Sequence, residues 1–176
     1  MSDAVVVRRV AGLTAPELAD LTDLLVAVVG DGASVGFLPP LDPAAARAYW
    51  ERVNAAADDA DGLVLLLAEV DGRIVGTAQL QPAESANGRH RGEVAKVLVH
   101  PGWQRRGIGR RLMLALEPAA RAQGRTLLVL DTREGDPSNR LYAACGWTEA
   151  GRVPNWARRA DGTLSGTVFW YKELAG

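Results

Sequence analysis

One cysteine, two histidines and two methionines among 176 residues exclude several kinds of chemistry. A lone Cys145 rules out an internal disulfide and suits a reducing cytoplasm. With only His90 and His100 beside it, a structural zinc site lacks ligands, and we expect no metal. No apolar run is long enough to span a bilayer, so no membrane partner is expected. The opening MSDAVVVRRV has too short an apolar stretch, and the wrong charge order, for a secretory leader. Repeats, linkers and low-complexity tracts are also missing, and the length suits one domain over residues 1–176.

What is present is an ordinary globular composition, 48% hydrophobic and 23% charged, with a net charge of −1. The distribution is uneven. Residues 1–88 carry five basic and thirteen acidic side chains, whereas residues 89–111 carry seven basic ones against Glu93 alone. A nucleic-acid binder is usually basic overall with a broad stripe. Positive charge focused on one short segment suits a small polyanion better, and no nucleic-acid partner is expected.

The pattern predicts β-α-α-β-β-β-α-β-α-β-β. Valines mark a first strand at 4–10. Thr14 and Glu17 form a capping-box signal for a helix that presents Leu18, Leu21, Leu24, Leu25 and Val28 on one face. GDGASVGFLPPLD (30–42) is a loop, and Asp42-Pro43 opens a second helix to about Ala57. LVLLLAEV and RIVGTAQL flank Asp71-Gly72, a hairpin signal. GEVAKVLVH (92–100), nearly all apolar, reads as a central strand. A helix is predicted over Gly107–Gln123 with a kink near Pro118. A buried strand follows at 126–132. Next comes a helix capped at Asp136-Pro137 and ended by Gly146. Strands at about 147–153 and 165–173 join across Asp161-Gly162.

Between the central strand and the following helix lies QRRGIG (104–109). Unpaired N–H groups at a helix start, together with the macrodipole, make an anion site. Gly107 and Gly109 allow close approach to the backbone, and Arg105, Arg106, Arg110 and Arg111 add charge. A P-loop needs GxxxxGK[ST], and no lysine follows these glycines. A dinucleotide loop needs GxGxxG, but Leu112 stands at its third glycine.

The spacing Gln104-x-x-Gly107-x-Gly109 resembles the pyrophosphate loop of the GNAT superfamily of acetyl-coenzyme A-dependent N-acetyltransferases. EVAKVLVHPGWQRRGIGRRLM resembles that family's core unit, and DTREGDPSNRLYAACGW resembles its next one, ending in Leu-Tyr-x-x-x-Gly-Trp. The resemblance implies an α/β, GNAT-like single domain. Its central sheet would be mixed, mostly antiparallel, with six to seven strands and about four flanking helices. GASVGFLPPLD, GRVPNW and GTVFWYKEL further resemble the tabtoxin-resistance type of acetyltransferase. In that group the acceptor is the amino group of a β-lactam-containing amino-acid toxin.

An amine must lose its proton to attack a thioester, yet a free α-amino group has a pKa of about 8. A carboxylate in the acceptor cleft can accept that proton, directly or through water. Glu93, which resembles the family's glutamate at that place, and Asp131, near the end of a buried strand, are the two candidates. Tyr142 matches the family's tyrosine, a phenol able to protonate the leaving thiolate. Asn139 lies three residues earlier on the same helical face and is expected to bond the pantetheine arm. By resemblance, acetyl-coenzyme A would bind at Gln104, Arg105, Arg106, Gly107, Ile108, Gly109 and Arg110. Leu98 and Val99 would supply the oxyanion donors. Ser34, Phe37, Trp156 and Tyr171 are expected acceptor contacts. Cys145 reads as a packing residue, since nothing nearby would activate it.

The expected function is acetyl transfer to a primary amine of a small molecule. Acetylation of a protein N-terminus or lysine, and non-catalytic sensing of coenzyme A, stand as alternatives. The tail strands leave a homodimer open.

Overall fold

In the computed structural model, which describes residues 4–57 and 61–175, β1 (Val6–Val10) leads to two helices that close one layer. The first, α1 (Ala15–Gly30), begins with the reciprocal cap its sequence predicts. Glu17 donates its backbone N–H to Thr14 Oγ1 at 3.5 Å, and the Glu17 carboxylate accepts from the Thr14 N–H at 2.7 Å. The second, α2 (Pro43–Ala56), has Pro43 in its first turn, and the Asp42 carboxylate accepts from the Ala44 N–H at 3.1 Å. Both caps satisfy donors that a helix start otherwise leaves open.

β2 (Val64–Val70) and β3 (Arg73–Pro82) form the predicted hairpin. Asp71 and Gly72 take φ of 48° and 78°, the two left-handed positions that Asp-Gly tolerates in a tight turn. After β4 (Arg91–Val99) come α3 (Ile108–Ala122), β5 (Leu127–Arg133) and α4 (Ser138–Ala144). The chain ends with β6 (Thr148–Arg158) and β7 (Leu164–Glu173). The order is the predicted one. The helix α3 continues through Pro118 as a single element. α4 starts where Asp136 Oδ1 accepts from the Ser138 N–H at 2.9 Å.

β6 runs five residues beyond its predicted end at 153. Pro154 argues against a strand interior, but β6 lies at the sheet edge, where a missing N–H costs no ladder bond. A register shift between Val153 and Ala157, with Asn155 at φ 54°, absorbs the irregularity.

The seven strands pair in the order β1-β2-β3-β4-β5-β7-β6, which puts β4 at the centre as predicted. Every pairing is antiparallel except β4 with β5. Alternation along β2 sends Leu65 and Leu67 to one face and Leu66 and Ala68 to the other. On the first face they meet Leu21, Leu25 and Trp50 of α1 and α2. On the second they meet Leu112, Met113 and Leu116 of α3. The result is an α/β fold of one mixed sheet between two helical layers.

Two irregularities at the centre shape the site. The parallel pair β4–β5 holds only over Arg91–Glu93 against Leu127–Val129, after which the strands part. Across β3, Thr77 stands opposite Leu98 but Gln79 opposite Ala95, so β4 carries one extra residue. Lys96 in that bulge has φ 50°. A bulge reverses side-chain alternation. Val94 before it packs with the α3 layer, while Leu98 after it packs with α1 and α2.

Candidate active site

Where β4 and β5 part, a cleft of about 850 Å³ opens through the sheet. That size is ordinary for a small-molecule site. Its lining comes from the α1–α2 loop, β4, the start of α3, β5, α4 and the β6–β7 hairpin. Beyond Glu93, backbone groups of β4 that point toward β5 have no strand partner and face this gap.

One end of the cleft is built from backbone. Gly107 stands at the N-cap of α3 with φ 79°, a left-handed conformation that glycine adopts without strain. No side chain caps this helix, and the first ladder bond runs from the Arg111 N–H to the Gly107 carbonyl. The Ile108, Gly109 and Arg110 N–H groups are therefore the open donors of the helix start. Among the described residues, nothing lies within 4 Å of where a Cβ on Gly107 would stand, so no side chain packs on the backbone there. A Cβ on Gly109 would meet Leu141 Cδ2 at 3.1 Å, so this glycine lets α4 pack close. Gln104, Arg105 and Arg110 line the same end, and Gln104 Nε2 reaches the Val99 carbonyl at 3.5 Å. Three donors, a helix dipole and two guanidinium groups suit a pyrophosphate.

The other end is built from side chains. Val94, Leu128 and Leu130 turn to the α3 layer, so Glu93 and Asp131 turn to the opposite face. The bulge brings Lys96 to that same face, with its ammonium 5.6 Å from the centre of the Tyr49 ring. Thr167 Oγ1 lies 2.7 Å from Asp131 Oδ2 and 2.8 Å from the Thr132 carbonyl, so its single proton is shared between the carboxylate and the strand. Burial pulls the Lys96 pKa below its ordinary value, against the pull of Glu93 and Asp131.

Tyr142 lies between the two ends. It is buried, flanked by Trp147 and Trp170 with ring centres 6.2 and 6.4 Å away, and lines the cleft. Burial raises its phenol pKa, and the Asp136 carboxylate raises it further, while a hydrogen bond with Ser138 opposes them. The phenol therefore stays protonated at neutral pH and is available as a donor.

Leu98, Val99, Gln104, Arg105, Gly107, Ile108, Gly109, Arg110, Glu93, Asp131, Tyr142, Ser34 and Trp156 all line this cleft. Four expected contacts lie outside its lining. Arg106 stacks its guanidinium on Trp103, 4.5 Å from the ring centre. Asn139 shares a helix with Tyr142, as its spacing implies, but its amide is engaged elsewhere. Nδ2 donates to the Arg133 and Asp136 carbonyls at 2.9 Å each, and Oδ1 accepts from Trp170 Nε1 at 3.1 Å. Phe37 packs edge-on against Tyr49 and lines a smaller adjoining pocket. Tyr171 sits on β7 opposite Val129 and Thr148, level with the last paired residues of β4 and β5. Cys145 is buried and its thiol pKa is raised by burial, consistent with a packing residue.

Thr167 and Lys96 also line the cleft, beyond the residues expected from the sequence. Thr167 is invisible without the β5–β7 pairing. Lys96 had a signal, a cation in the middle of a mostly apolar central strand.

Residues 34–147 match the acetyltransferase (GNAT) family. An uncharacterised N-acetyltransferase of the hisH–hisA intergenic region of Azospirillum brasilense is 30% identical over 166 residues, 82% of this chain and 96% of its own. The aminoglycoside N(6')-acetyltransferase type 1 of Stenotrophomonas maltophilia is 32% identical over 108 residues, 58% of this chain and 71% of its own. Among solved structures, yncA of Salmonella typhimurium, determined with its cofactor acetyl-CoA, superposes with a TM-score of 0.78. It is 23% identical, with 98% of this chain and 95% of that one covered. The ribosomal-protein-alanine N-acetyltransferase of Brucella melitensis superposes with a TM-score of 0.80 at 24% identity, covering 96% and 99%. At these identities the structures establish the fold. The named acceptors differ, an aminoglycoside in one relative and a ribosomal-protein alanine in another.

Proposed function

The chain belongs to the acetyltransferase (GNAT) family, and from that premise we propose that it moves an acetyl group from acetyl-coenzyme A to a primary amine of a small molecule. The observation that carries this reading is one cleft holding an open helix N-terminus, a buried phenol and an anchored carboxylate.

When bound, acetyl-coenzyme A supplies the acetyl group as an activated thioester. The Ile108, Gly109 and Arg110 N–H groups hold its pyrophosphate, with Arg105 and Arg110 adding charge. Unpaired backbone donors of β4 near Leu98 and Val99 stabilise the charge that develops on the acyl oxygen. Asp131 accepts the proton of the attacking amine, directly or through a water, and Thr167 keeps its carboxylate aimed. Glu93 lines the same face and assists as a second carboxylate. As the new N–C bond forms and the C–S bond breaks, Tyr142 donates its proton to the departing sulfur.

The acceptor enters from the α1–α2 loop side, between Ser34 and Trp156. The stretches that resemble the tabtoxin-resistance type, GASVGF and GRVPNW, border this opening and support an amino-acid-like acceptor. Two measurements test the reading. Calorimetry should show micromolar acetyl-coenzyme A binding. Thiol release should then rise with one class among amino acids, β-lactam amino acids, polyamines and aminoglycosides. No binding at high micromolar acetyl-coenzyme A sinks the proposal.

A further inference from the structure

Lys96 lines the cleft on the face that carries Glu93 and Asp131, and the reaction above gives it no task. A lysine at φ 50° is strained where glycine or asparagine would not be. Such outliers persist where the surrounding structure or a function holds them. The ammonium is half-buried over the Tyr49 ring and lies 3.7 Å from where a Cβ on Gly36 would stand. That loop glycine, at φ 86°, brings the acceptor wall close to the cation. Among the described residues the ammonium makes no hydrogen bond and no ion pair. The Glu93 and Asp131 carboxylates act on it from beyond contact distance. An ammonium partly withdrawn from water, in a cleft, gains from an anion that meets its donors.

We propose that Lys96 selects the acceptor by receiving an anionic group, a carboxylate or a similar oxyanion, on a molecule whose amine lies a few bonds away against Asp131 and Glu93. The inference rests on the amine-acetylation reading and names its substrate class: compact zwitterions, meaning free amino acids and their close analogues. Carboxylate, ammonium and carboxylate share one face of the sheet, which matches a neighbouring amine and anion in charge. A polycationic amine would set a second positive charge against Lys96, and that pairing is unfavourable.

The test compares matched acceptors that differ only in the anion. Glutamate, phenylalanine and lysine are each assayed against the corresponding α-carboxamide, with an aminoglycoside as the polycation. Wild type, Lys96→Met and Lys96→Arg are used, with acetyl-coenzyme A affinity and thermal midpoint as folding controls. The acid is expected to exceed its amide at least tenfold in kcat/KM for the wild type. Lys96→Met should collapse that ratio at least tenfold, mainly through the KM of the acid, and Lys96→Arg should retain most of it. Equal losses on acid and amide, carried by kcat, overturn the proposal and mark Lys96 as a proton acceptor or a support. Wild-type preference for the amide or the aminoglycoside overturns it as well.

If no amine of the panel releases thiol, N-acetylated amino acids and their amides are titrated into the coenzyme A complex. A preference for the acid that Lys96→Met removes supports the inference, and equal affinities overturn it. Failure of acetyl-coenzyme A itself to bind marks the acetyl-transfer reading as the one at fault.

Discussion

The two ends of the cleft are made from different materials. The end at the start of α3 uses backbone N–H groups from consecutive residues, aimed by one left-handed glycine. The end beneath the α1–α2 loop uses side chains from strands distant in sequence, aligned by a bulge and by the β5–β7 pairing. A backbone cradle is indifferent to what the rest of the ligand is, and it suits a cosubstrate common to many relatives. A side-chain constellation changes with single substitutions and suits an acceptor that differs among them. The comparison predicts that damage at the first end abolishes cosubstrate binding, whereas damage at the second redirects or slows the chemistry.

The largest effect is expected at the cradle. Gly107→Val places a β-branched side chain at φ 79°, where it costs about 1–2 kcal/mol, and turns the helix-start donors away from their common focus. Calorimetry should show acetyl-coenzyme A binding abolished, an affinity loss of more than about a hundredfold. An unchanged affinity would mean that the pyrophosphate binds elsewhere. Between the two ends, Tyr142→Phe removes the hydroxyl proposed as proton donor and keeps the ring against Trp147 and Trp170. A kcat lower by about a hundredfold, with acetyl-coenzyme A affinity within twofold of wild type, is expected from steady-state kinetics and calorimetry.

On the acceptor side, Asp131→Asn and Glu93→Gln separate the two carboxylates. Asp131 is bonded by Thr167 Oγ1, and among the described residues no hydrogen-bond donor anchors Glu93. We expect about a tenfold fall in kcat for Asp131→Asn, relieved as pH rises and the free amine becomes abundant, and a smaller fall for Glu93→Gln. The reverse order in the pH–rate profiles would transfer the proton-accepting role to Glu93.

The same division explains what the sequence made legible. QRRGIG encodes a site within six consecutive residues, so its geometry follows from local rules about glycine and helix starts. The order of elements along the chain was legible because Asp71-Gly72, the two capping signals and the apolar β4 are each local. Lys96 was not, because a bulge arises from two strands at once and only it reveals which face the residue joins. Asn139 shows the opposite failure. Its spacing puts it on one helix with Tyr142, yet contacts with Trp170 and the β5–α4 turn engage its amide. Periodicity gives the face of a helix and says nothing about what packs on it.

The smallest effect concerns stability. Burial lowers the Lys96 pKa, with Glu93 and Asp131 opposing, so the charged form is less welcome in the folded chain than in the unfolded one. For a lysine with a depressed folded pKa, the penalty is fully present below that pKa. It is lost as pH climbs toward the ordinary value of 10.5. Lys96→Met should therefore melt about 1–2 °C higher than wild type at neutral pH. The gap should narrow as pH is raised through the window between the lowered and the ordinary pKa. A gap that widens instead would show that Glu93 and Asp131 together more than offset the burial. Lys96 would then stabilise the fold, and its cost could not be assigned to selecting an acceptor.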